Sequence, residues 1–146
     1  MVDSPIKNDK IKITEPVILP AARGNFGELA YSDGFVYWKN SAEKILVDLL
    51  MIHEVIAAAN KVTKNTKSPM LIDFTSAKEL VYTPTARTMI TGSDFAKMRT
   101  AIAVLNSPAI KNANLLLTGI NKFNVPLKIF NNQEEALDWL RTFILN

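Results

Sequence analysis

The chain has no cysteine, one histidine and five glycines in 146 residues. Without cysteine there is no disulfide framework and no thiolate metal site, which fits a reducing compartment. His53 has no second imidazole to share a zinc ion with. No serine or cysteine stands at a recognisable spacing from it for general-base catalysis. Nor does one charge dominate: 17 Lys and Arg against 14 Asp and Glu leave a net charge of +3. That excess is too small and too scattered to point to nucleic acid. The most apolar helical stretch, "ILVDLLMIHEVIAAA", is interrupted by Asp48, His53 and Glu54 and falls short of the ~20 apolar residues of a membrane span. "MVDSPIKNDK" lacks the apolar core of a secretory signal. These absences describe a cytoplasmic protein with no metal, no cofactor, no nucleic-acid partner and no integral membrane segment.

What is present is ordinary for a globular domain: 48% apolar and 21% charged residues. Residues 1–9 are polar and read as a flexible terminus; residues 10–146 read as a single α/β domain. "KIKITEPVILP" alternates like a half-exposed strand up to Pro16. "AARGNFG" reads as a loop or bulge, and "ELAYSDGFVYWK" as a hairpin turning at Asp33-Gly34. Ser41 is then expected to cap a helix over "AEKILVDLLMIHEVIAAANK", with Ile45, Leu49, Ile52, Ile56 and Ala59 on its buried stripe.

"MLIDF" is a short apolar run of the kind buried on both sheet faces. Thr83 and Pro84 supply an N-cap and a first-turn proline for a helix carrying Ala86, Met89 and Ile90, broken near Gly92. The order repeats: "TAIAVL" as strand, then a helix capped by Ser107 with Ile110, Ala113, Leu117 and Ile120 on one stripe. "VPLKIF" follows as strand. A last helix has Asn132 and Glu135 at capping-box spacing and Ala136, Leu140 and Phe143 facing inward. Strand alternating with helix implies crossovers and a mainly parallel sheet beside the N-terminal hairpin.

In this order "PMLIDFTSAKELVYTPTA", "AIAVLNSPAI" and "VPLKIFNNQEEALDWL" resemble the SpoIIAA-like STAS domains, relatives of bacterial anti-sigma-factor antagonists. The resemblance runs from "SDGFVYW" to the end of the chain. It implies a SpoIIAA-like mixed β-sheet with covering helices, no intrinsic catalysis, and a regulatory or protein-interaction role. It also implies an alternative, because related CRAL-TRIO domains carry small apolar, lipid-like ligands between sheet and helices. In phosphorylatable antagonists a strand ending in aspartate leads to a "DSSG"-type turn whose serine accepts phosphate. Asp73 matches that aspartate, but the turn here reads "YTPTA", so Thr83 and Thr85 lie near the acceptor position without reproducing it.

The candidate ligand, partner or phosphate region is therefore Asp73, Thr83, Thr85 and Arg87. Phosphate at a helix start meets free N–H groups and the positive dipole end, with Arg87 as an ion-pair partner. The plainer reading is that Thr83 is a cap and that Asp73 accepts N–H bonds from its own turn; this is the one the residues favour. Tyr37, Trp38 and Tyr82 are candidate interface aromatics. Adjacent strand residues face opposite ways, so either Tyr37 or Trp38 is expected to meet a partner, a helix or a ligand. An aromatic hairpin too apolar for one sheet face to hide predicts a homodimer.

Overall fold

A computed structural model describes residues 22–90, 97–111 and 125–144. The expected strand in "KIKITEPVILP", the helix break near Gly92, and the stripe residues Ala113, Leu117 and Ile120 lie outside the described residues.

The first two strands, β1 (Ala22–Gly24) and β2 (Gly27–Ser32), pair antiparallel, so "AARGNFG" forms a hairpin rather than a loop. Gly27 makes that possible. Its φ is +105°, and a Cβ there would stand 2.3 Å from the Lys39 carbonyl oxygen. β3 (Phe35–Lys39) returns antiparallel to β2 across the expected Asp33-Gly34 turn, with φ of 57° and 86° at its two central residues.

Beyond the hairpin the sheet is parallel. β5 (Ser68–Asp73), β7 (Arg99–Leu105) and β8 (Leu127–Phe130) add one after another beside β3. The resulting six-stranded sheet has the order β1-β2-β3-β5-β7-β8. The runs expected as neighbouring parallel strands are neighbours. Each new parallel strand joins the same edge, so the described strands contain no reversal of order. A reversal is where doubly wound sheets open their ligand crevice, and none is built here.

Two layers of side chains cover this sheet. On one face Val36, Trp38, Met70, Ile72, Ile102 and Val104 pack under helices α1 (Leu49–Val62), α2 (Pro84–Ile90) and α3 (Pro108–Lys111). On the other, Phe35, Leu71, Ala101, Ala103 and Leu105 meet Ala136, Leu137 and Leu140 of α4 (Gln133–Arg141). Period-two alternation in β5 sends Met70 and Ile72 to the first layer and Leu71 to the second, which explains its unbroken apolar run.

The main departure from expectation lies before α1. Ser41 caps nothing. Lys44–Val47 form β4, which pairs in parallel with β6 (Glu79–Tyr82) as a separate two-stranded sheet. The helix starts after Asp48, whose Oδ1 accepts from the Met51 N–H at 2.9 Å. Ile45 and Val47 are buried, but by strand alternation with Lys44 and Leu46. The buried face of α1 shifts accordingly to Met51, Ile52, Val55 and Ala59, leaving Leu49 exposed and Ile56 half-buried. A four-residue apolar run fits either period, and here the partner strand decides.

The remaining caps divide. Asn132 Oδ1 accepts from the Glu135 N–H at 2.9 Å, as the capping-box spacing predicts. Ser107 occupies the cap position of α3, its carbonyl accepting from the Ile110 N–H. Its hydroxyl, however, is buried without a hydrogen-bond partner, so the expected side-chain cap is not made. One further buried polar group stands out. Arg99, at the start of β7, is 2% exposed and its Nη1 reaches no hydrogen-bond partner. Burial pulls its pKa down to about 10, a shift that Tyr31 partly opposes.

Candidate functional site

The turn after β5 is closed locally. Asp73 Oδ1 accepts from the Thr75 N–H at 3.0 Å and from the Thr75 hydroxyl at 2.7 Å, while its carbonyl accepts from the Asn40 N–H at 3.1 Å. Such a self-contained turn uses the carboxylate to start the loop.

Thr83 stands where β6 hands over to α2. Its N–H donates to the Val47 carbonyl at 3.0 Å, tying it to β4. Its Oγ1 accepts from the Ala86 N–H at 3.1 Å, and its carbonyl accepts from the Arg87 N–H at 3.0 Å. The Thr85 hydroxyl lies 3.2 Å from that of Thr83, and Arg87 is exposed on the helix surface. Thr83, Thr85 and Arg87 are thus together, while the hydrogen bonds of Asp73 go to Thr75 and Asn40. The Thr83 hydroxyl oxygen is engaged in the cap, and that of Thr85 is not. Thr83→Ala should cost about 1 kcal/mol in urea denaturation, and Thr83→Ser should be within a few tenths of wild type. An alanine variant as stable as wild type would show that the hydroxyl is not capping.

The three aromatics are placed differently from one another. Trp38 is 2% exposed; its Nε1–H donates to the Phe26 carbonyl at 2.7 Å and its ring meets Phe74 edge-on. It is core, not surface. Tyr37 points to the other face, half-buried in the layer under α4, with Phe35 edge-on at 6.0 Å. Its phenol pKa is raised by burial first and by the Asp33 carboxylate second, with Arg141 acting against both. Tyr82 is half-buried against the first layer. Trp38, Tyr37 and Tyr82 are thus covered, wholly or in part, within one chain, while Tyr31 of the same hairpin is exposed.

Besides Tyr31 and Ile129, the exposed large apolar residues lie on segments expected as helix or link. "EKILVD" (43–48) and "KELVYT" (78–83) run side by side, so Lys44 faces Glu79, Ile45 faces Leu80, Leu46 faces Val81 and Val47 faces Tyr82. Ile45, Val47 and Leu80 turn inward, while Leu46 (51% exposed) and Val81 (42% exposed) turn out. Leu49 and Leu50, on the first turn of α1, are exposed as well. Lys44 and Glu79 pair at 3.9 Å, and Glu43 and Lys78 at 3.8 Å, just before the strands. Leu46 and Leu50 also border a groove of about 290 Å³ whose other walls include Asn25, Asn40, Lys44 and Asp48. The signal that would have found this face is the matching pattern itself: two charged residues, three apolar ones and a cap, twice.

Among the described residues no group of His, Asp and Glu is arranged to hold a metal ion, and no helix is long and apolar enough to cross a membrane. His53 is exposed on α1.

The family described as "Domain of unknown function (DUF7793)" matches residues 29–144. The chain belongs to that family. No curated protein and no solved structure matches it. The DUF7793 span opens inside β2 and closes just after α4. It includes both halves of the β4–β6 sheet and both layers of the core, and it leaves β1 outside.

Proposed function

We propose that this DUF7793 domain is a non-catalytic, SpoIIAA-like STAS module that regulates by protein contact. Two features support the STAS part of the reading. One is the unidirectional succession β3-α1-β5-α2-β7-α3-β8-α4; the other is the order of motifs seen in the sequence. The observation that carries the contact part is the aliphatic face of Leu46, Val81, Leu49 and Leu50, left open on a domain whose described core is filled. Scattered exposed leucines need no explanation, but Leu46 beside Val81, with Leu50 on the same groove as Leu46, marks a place where another surface sits. A cytoplasmic location belongs to the same proposal.

The carrier alternative asks for unfilled space between sheet and helices. Ile52 and Ile102 in one layer and Leu71 and Leu140 in the other are at most 1% exposed, and the groove beside Leu46 is walled partly by asparagine, lysine and aspartate. Native mass spectrometry of freshly purified protein separates the two readings. The module reading expects bare polypeptide mass per subunit. A lipid-sized adduct in near-stoichiometric amount would replace it with the carrier.

A further inference from the structure

Parallel strands are found almost only where both faces of their sheet are covered. The β4–β6 pair breaks that habit: Ile45, Val47 and Leu80 are buried beneath it, and its outer face of Lys44, Leu46, Glu79 and Val81 is open. The open face has a particular arrangement. Each residue lies beside a cross-strand neighbour of matching kind, aliphatic beside aliphatic and Lys beside Glu.

We propose that this face docks on the same face of a second copy of the chain, about a two-fold axis running parallel to the strands between β4 and β6. The proposal rests on the module reading above and names its partner. An axis so placed lays β4 of one copy over β6 of the other at the same level. Leu46 then meets Val81 and Lys44 meets Glu79, each contact made twice by symmetry. Every charge on the face finds the opposite sign, and the aliphatic pair closes on its own kind. A two-fold interface must be complementary to itself, and the cross-strand register of these two short segments supplies that complementarity. Sheets stacked this way sit about 10 Å apart, which gives the pair the second cover its strands lack. Leu49 and Leu50 flank the contact and extend its apolar centre.

Light scattering coupled to size exclusion, run from micromolar to sub-millimolar protein, tests this. Wild type is expected at twice the chain mass. Leu46→Lys puts like charges and an unpaired ammonium at the centre, and should weaken association roughly a hundredfold with an unchanged circular dichroism spectrum. Lys44→Glu should weaken it roughly tenfold, because each copy then sets glutamate against glutamate. The double exchange Lys44→Glu with Glu79→Lys should restore the wild-type mass profile, since both copies carry the swapped pair. Lys44 and Glu79 also pair within one chain, so urea denaturation of the same variants is read beside the mass: the two-fold contact changes association without a matching change in stability. A dimer that persists in folded Leu46→Lys overturns the assigned face. Single-site variants that behave alike, with no rescue by the exchange, overturn the axis. A wild-type monomer throughout overturns the pairing altogether, while the module reading still stands or falls on its mass-spectrometric test.

Discussion

Trp38→Ala is expected to remove about 3–5 kcal/mol of stability, the usual cost of emptying a large aromatic site in a packed core. The indole lies in the layer between the sheet and α1, edge-on to Phe74 with ring centroids 4.9 Å apart, and its N–H is bonded to the Phe26 carbonyl. The carbonyl is not orphaned by the change, because Asn40 Nδ2 donates to it at 3.2 Å. The loss therefore comes chiefly from the cavity. Trp38→Phe keeps most of the volume and gives up one hydrogen bond, so it should cost only about 1–2 kcal/mol. Since whole domains hold ~5–15 kcal/mol, the alanine variant is expected to be partly unfolded near body temperature, and the phenylalanine variant is not. Urea denaturation followed by circular dichroism measures both. An alanine variant within about 1 kcal/mol of wild type would mean that the indole is not in the core.

The second large effect has the opposite sign. Arg99→Met is expected to stabilise the domain at neutral pH by roughly 1–4 kcal/mol, the range seen when a poorly compensated buried charge gives way to an apolar side chain of similar size. Arg99 is 2% exposed, with Nη1 unpartnered, and burial lowers its pKa to about 10, well below the ordinary arginine value. A depressed base is a burden while it is charged in both states, which holds below about pH 10. As pH rises from there the folded form sheds its proton more readily than the unfolded form, and the burden lifts. The advantage of the methionine variant over the native arginine should accordingly be largest near pH 7 and smaller at about pH 11. Paired urea titrations at the two pH values measure it. A methionine variant less stable than wild type at neutral pH would show that the guanidinium is well compensated where it lies.

The sequence disclosed those parts of the fold whose cause is local. Ser68–Asp73 and Arg99–Leu105 are apolar with little interruption because both faces are covered, and their length and β-branched residues favour strand over a buried helix. Thr83-Pro84 and Asn132 with Glu135 announce helix starts through side chains that bond within one turn. β4 and β6 were not legible. Each is four residues long and abuts a helix, and each is a strand only because the other lies beside it. Ile45 satisfied a helical stripe as well as a strand until that partner was known. The candidate site divides in the same way. Asp73 and Thr83 do what their neighbours dictate, whereas the outward turn of Leu46 and Val81 depends on a pairing distant in sequence. Trp38 and Tyr37 illustrate a third case: alternation predicts opposite faces, and only the folded chain shows that a helix covers each.

The placement of α4 bears on how the domain is made. Among the described elements its side chains alone fill the second layer, and it is the last of them to be synthesised. Phe35, Leu71, Ala101, Ala103 and Leu105 are all translated before the helix that shelters them exists. At about 5–20 residues per second, the nascent sheet waits several seconds with one greasy side bare. That interval is when a chaperone has something to hold. A ribosome stalled before Gln133 would leave an aggregation-prone product, whatever the quality of the layer on the opposite side.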